Sequence, residues 1–132
     1  MDMSQERITL KPHVASELAK ARSARSRRDV ELAWHHLERA HILSQPSAWL
    51  HTRVHFSMLV LALRTLDLRE LFGQVVRVSV AGIGSAMGRY PRGNTGRARV
   101  PINKPMPIAE DLGRILAGAS DENGGRNADY VG

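Results

Sequence analysis

The chain has 132 residues, 42% of them hydrophobic but only 5% aromatic, with a formal charge of +6 and no cysteine. That is enough chain for one domain whose core is built mainly from Leu, Val, Ile and Ala. It excludes disulfides, thiolate zinc sites and iron–sulfur clusters, so any metal must take nitrogen and oxygen ligands.

Residues 1–10 are polar and hold no apolar leader. The longest apolar runs, Phe56–Leu63 and Val78–Met87, fall short of the ~20 residues a membrane span needs, so a cytoplasmic protein with no membrane contact is expected. Basic residues number 19 against 13 acidic, but they are spread along the chain, and only Arg22–Arg28 is dense. This reads as a solvated basic surface, and nucleic acid is disfavoured as a partner.

In chain order, the spacing of Val14, Leu18 and Ala21 predicts a first helix from about Pro12 to Arg27. A second runs from Asp29, a good N-cap, to about Gln45, where Pro46 stops it. A third starts at the N-cap Ser47 and reaches about Thr65. A fourth starts at Asp67, which with Glu70 has the spacing of a capping box, and runs to about Met87. Its second half is rich in Val and Gly, so strand is the alternative there. Residues 88–107 carry Pro91, Gly93, Gly96, Pro101, Pro105 and Pro107 and form an extended loop or arm. A short helix over Ile108–Leu116 follows, and the polar, glycine-rich tail, Gly118–Gly132, is expected to be disordered. The expected architecture is all-α: a small bundle of three to four antiparallel helices within a single domain, residues 1–117, with an extended C-terminal arm.

Five of the six histidines lie between residues 35 and 55. Glu38 and His41 are spaced i,i+3, and His51 and His55 i,i+4, so each pair projects from one helical face. The short turn at Pro46 makes the two helices antiparallel neighbours, with His41 and His51 each five residues from it. Glu17, at the matching height on the first helix, adds a fifth corner. The expected metal ligands are Glu38, His41, His51, His55 and Glu17. Buried carboxylates are costly unless paired or bound to a cation, and this donor set suits a divalent transition metal. Iron and zinc lead, with manganese, cobalt and nickel as the other options. His35, His36, Gln74 and Arg77 are expected around the ligands rather than among them. His13 carries no signal.

Arg92, Asn94 and Arg97 lie in a Gly-bearing loop that could cradle an anion, although a plain turn is the stronger reading. Gly82, Gly84 and Gly88 lack the dinucleotide-binding spacing. They suggest instead a small-residue face open to close approach by another helix, such as that of a second copy in a homodimer. The pair of helices around Pro46 has the look of a tetratricopeptide-type hairpin, but only one such unit is legible.

The run His35-His36-Leu37-Glu38-Arg39-Ala40-His41-Ile42-Leu43-Ser44-Gln45, then His51 and His55, then Gly93-Asn94-Thr95-Gly96 and Lys104-Pro105-Met106-Pro107-Ile108, resembles a small bacterial family of unknown function over roughly residues 10–117. The resemblance implies a metal connection, because members are often encoded beside heavy-metal regulators and efflux pumps. It implies no particular reaction. The leading expectation is a metal-binding helical protein: a non-haem metalloenzyme if a coordination position stays open, a metal-handling protein if it does not. The alternative is a non-catalytic interaction module that uses the hairpin and its basic surface.

Overall fold

The structure is a computed structural model that describes residues 9–120. Among the described residues there are five helices and no strand: α1 (Leu10–Ser26), α2 (Val30–Ser44), α3 (Ala48–Arg64), α4 (Leu68–Ala86) and α5 (Glu110–Ser120). The protein is thus an all-α bundle, and the Val- and Gly-rich half of α4 stays helical to its end. Among the described residues no helix is long and apolar enough to cross a membrane.

Two antiparallel hairpins of the same build, α1–α2 and α3–α4, make up most of the body. In the first, Arg28 takes a left-handed conformation (φ 62°), and the Asp29 amide donates back to the Ala24 carbonyl at 2.9 Å. In the second, Leu66 (φ 55°) and the bond from the Asp67 amide to the Ala62 carbonyl at 3.0 Å repeat the device. Each turn ends one helix in a Schellman-type closure and opens the next with an aspartate cap. Asp29 accepts from the Leu32 amide and Asp67 from the Glu70 amide. The expected capping box is therefore half made, since the Glu70 side chain does not return to the cap but turns inward. The hairpins join at Pro46, with Ser47 capping α3 through the Leu50 amide.

Val14, Leu18, Ala21 and Ala24 of α1 pack against Trp34, Leu37, Ala40 and Leu43 of α2 and Val54, Met58 and Leu61 of α3. Leu112 and Leu116 of α5 close one end of this core. Among the described residues α4 contributes no buried hydrophobic side chain, and its buried residues are Glu70, Gln74, Arg77 and Ser85. It packs its polar side inward.

The segment between α4 and α5 is irregular, as expected. Gly88 (φ 68°) ends α4, and the Arg89 amide donates to the Gly84 carbonyl at 2.8 Å. The last helix starts at Glu110 rather than Ile108, where its own acidic residues fill the first turn, and it continues through Ser120. The expected disordered tail therefore begins too early at Gly118, and its remainder, residues 121–132, lies outside the described residues.

Candidate metal centre

His41 sits in the last turn of α2, and His51 and His55 lie one turn apart on α3. The short Pro46 connection brings the two helices side by side, and all three imidazoles are buried at their interface with α4. Their Nε2 atoms form a small triangle: 2.9 Å from His51 to His41, 3.0 Å from His41 to His55 and 3.2 Å from His55 to His51. This group could hold a metal ion.

The other face of each ring is held. Nδ1 of His41 donates to the Asn94 carbonyl at 2.6 Å. A carbonyl can only accept, so in the neutral ring the proton is on Nδ1 and Nε2 presents a bare lone pair. Nδ1 of His55 lies 2.7 Å from Oε1 of Gln74. The amide of Gln74 is fixed in that sense because its Nε2 donates to the Gly96 carbonyl at 2.8 Å and to Glu70 at 3.2 Å. His55 therefore has the same tautomer as His41. Nδ1 of His51 meets the Ser85 hydroxyl at 2.5 Å, a group that can accept or donate.

Burial keeps the His41 and His55 rings neutral. It lowers the pKa of His41 well below the ordinary 6.5, and repulsion from the neighbouring imidazoles lowers it further. Burial likewise brings His55 down to about 4, against the favourable bond from Gln74. Two lone pairs thus face each other across 3.0 Å between buried rings, and a proton on His51 could occupy only part of the triangle. A shared cation is the charge that would satisfy all three nitrogens.

The loop over residues 93–97 is built onto this site. Asn94 is buried; its side chain donates to the Pro101 and Lys104 carbonyls and accepts from the Gly96 amide at 2.9 Å. Gly96 has φ +80°, and a β-carbon there would lie 2.6 Å from the His41 ring. Only glycine lets the backbone cross the imidazole so closely. Arg77 donates to the Gly96 and Val100 carbonyls, and Gln45 ties the loop's start by accepting from the Gly93 amide and donating to the Pro91 carbonyl. On its remaining side the triangle faces a cavity of about 200 Å³, bordered by Arg77, Val80, Gly84, Arg89, Tyr90 and Ile102 among others.

The two carboxylates expected among the ligands stand apart from this group. Glu17 accepts from Arg39 at 3.2 Å and contacts His36 at 2.7 Å, with Lys20 beyond at 3.6 Å. Glu38 is drawn to Arg97 at 3.2 Å. The same guanidinium meets the fully buried Glu70 at 2.6 Å and stacks 3.9 Å over the Trp34 ring. Both acids are thus neutralised by arginines rather than placed with the histidines, and the five-cornered square becomes a three-cornered one. Burial still raises the Glu38 pKa against the pull of Arg97.

Of the residues expected around the ligands, Gln74 touches His55 directly and Arg77 holds the loop, whereas His36 serves Glu17 and His35 is exposed beside it. In the loop expected as a plain turn, with an anion cradle as the weaker reading, the residues of that cradle are engaged elsewhere or exposed. Asn94 spends its polar atoms on the loop and on His41, Arg97 spends its guanidinium on two carboxylates, and Arg92 is exposed. Ser85 and the inward role of Glu70 escape a reading by spacing. Ser85 lies in a run that reads as a small-residue face, and Glu70 fits a helix cap. The polar stripe Glu70-Gln74-Arg77 on an otherwise apolar helix was the signal available.

Residues 8–116 match the model of the family described as "Protein of unknown function (DUF3703)". The match covers most of the chain, and the chain belongs to that family. No curated protein and no solved structure matches it.

Proposed function

We propose that this member of a family of unknown function binds a single divalent transition metal through His41, His51 and His55. The observation that supports it most is the fixed tautomer of His41 and His55, which leaves their adjacent Nε2 atoms with bare lone pairs. Metal-bound histidines commonly have their second nitrogen held by a carbonyl or carboxylate in this manner. An ion about 2.1 Å from each nitrogen would subtend N–metal–N angles of roughly 90–100° on this triangle, close to one face of a five- or six-coordinate sphere. Zinc and iron both accept three imidazoles, and manganese, cobalt and nickel remain candidates.

Three neutral ligands leave the ion's double charge uncompensated, and its open positions would face the 200 Å³ cavity with Arg77 and Arg89 on its border. That setting suits a water of lowered pKa or a small anion as the remaining ligand. A setting beside heavy-metal regulators and efflux pumps, as implied by the sequence resemblance, accords with either water activation or metal handling.

The test is elemental analysis of untagged protein purified from metal-supplemented cells, followed by titration of the metal-free protein with zinc and with ferrous iron. About one ion per chain is expected, with a rise in melting temperature. A chain that emerges empty and whose melting temperature ignores both ions refutes the proposal.

A further inference from the structure

Helix α4 is amphipathic in the opposite sense to its neighbours. Glu70, Gln74, Arg77 and Ser85 face inward, while Leu68, Phe72, Val75, Val76, Val80, Ile83 and Met87 face out, each between 45% and 74% exposed. The outward residues recur at steps of three and four, so they form one continuous seam along the 19-residue helix. Arg69 is the sole exposed charge on α4 among the described residues. Together the seven side chains expose on the order of 800 Å², which matches one side of a standard-size interface and exceeds what monomers usually leave in water.

We propose that this seam is covered by α4 of a second copy of the chain in a two-fold homodimer. An isologous contact requires a surface that complements itself, and a seam from Leu68 to Met87 whose exposed side chains are apolar apart from Arg69 near one end and the small Ser79 meets its own copy with little unlike chemistry opposed. In an antiparallel pairing the two Arg69 side chains lie at opposite ends and the helix dipoles oppose each other. A membrane surface is the weaker occupant, because one arginine gives the face little to hold anionic headgroups. Gly84 and Gly88 play no part in the contact: Gly84 makes room for the Arg89 carbonyl, and Gly88 ends the helix. Val80 belongs both to the seam and to the cavity beside the histidines, so the second copy closes that flank of the cavity. The proposal goes beyond metal binding and stands without it.

The test is sedimentation of the full chain across about 1–100 μM. A mass twice the 14.6 kDa of the chain is expected. The double variant Phe72→Glu, Ile83→Glu should raise the dissociation constant at least a hundredfold, and Val76→Ser, Val80→Ser at least tenfold, with helical circular dichroism retained. Phe56→Gln should leave the dimer intact, since exposed Phe56 borders a groove against α1 and α2 instead. A wild-type chain that is monomeric throughout the range overturns the proposal. So does a dimer unchanged by Val76→Ser, Val80→Ser, and so does a monomer that co-sediments with phosphatidylcholine–phosphatidylglycerol vesicles, which would assign the seam to a lipid surface.

Discussion

Gln74 accepts from Nδ1 of His55 at 2.7 Å while its own amide nitrogen donates to the Gly96 carbonyl at 2.8 Å, so one side chain both sets the tautomer of a buried imidazole and holds the loop above it. Gln74→Leu keeps the size and removes both of these bonds together with a third, to Glu70. Metal affinity should fall ten- to a hundredfold, as is usual when such an orienting partner is lost. The fold should survive with a loss of about 1–3 kcal/mol for the buried groups left unpaired. Competition against a chromophoric chelator reads the first effect and urea denaturation the second. Unchanged affinity would mean that Gln74 does not orient the ligand.

Alanine at His41, His51 or His55 should each reduce bound metal to a small fraction of the wild-type content. Alanine at His35 or His36 should leave it near wild type, because His36 contacts Glu17 and His35 is exposed. Metal content of the five purified variants checks the contrast, and equal losses across all five would place the ion elsewhere.

The metal-free protein should lose stability as pH falls. His41 and His55 both have native pKa values below the ordinary 6.5, the latter about 4. Between those limits the unfolded chain binds protons that the native site refuses, so stability is full above about pH 6.5 and declines towards pH 4. The urea midpoint of the chelator-treated protein should already be lower at pH 5 than at pH 7.5, a range in which most carboxylates stay ionised. A midpoint that holds steady or rises contradicts the burial of neutral imidazoles.

Gly96→Ala should damage the site and the fold together. The residue would be strained at φ +80°, and its new methyl would lie 2.6 Å from the His41 ring. Gly113→Ala is the control, since a β-carbon there meets nothing within 4 Å. Gly96→Ala should lower the melting temperature by several degrees and weaken metal binding, while Gly113→Ala does neither. Equal behaviour of the two would show that the loop does not press on the His41 ring.

Arg97 is the cation between Glu38 and the fully buried Glu70. Arg97→Met would strand both carboxylates and should cost about 3 kcal/mol, the penalty typical of a buried charge stripped of its partner. Arg97→Lys should restore little, because a point charge cannot span two carboxylates and stack on Trp34 at once. Denaturation midpoints of the two variants settle the matter: full rescue by lysine would reduce the contact to simple charge balance.

The helices and the histidine triangle were legible because they depend on local signals. Asp29, Ser47 and Asp67 cap where their chemistry dictates, and Pro46 fixes His41 opposite His51 by counting residues alone. Glu17 and Glu38 could not be placed that way. Their neighbours Arg39 and Arg97 choose them through tertiary contacts, and Arg97 arrives from 59 residues away. Helix rotation decides the rest: Glu38 and His41 share a face broadly, yet the arm takes one and α3 takes the other. Spacing reads Asn94 as part of a turn for a related reason, whereas its carbonyl meets the histidine 53 residues before it.

That separation imposes an order on the molecule's birth. As the chain is synthesised, His41, His51 and His55 emerge on a hairpin whose turn is local and quick to form. Gln74, Ser85 and Asn94, which hold the three rings, follow later in the sequence. Until the strand of backbone through Gly96 has crossed the His41 ring, the imidazoles are free to choose either tautomer and to swing apart. An ion captured at that earlier moment would meet ordinary flexible histidines. The nascent hairpin and the finished protein therefore differ in how they present the three imidazoles, and only the completed chain holds the rings in one arrangement.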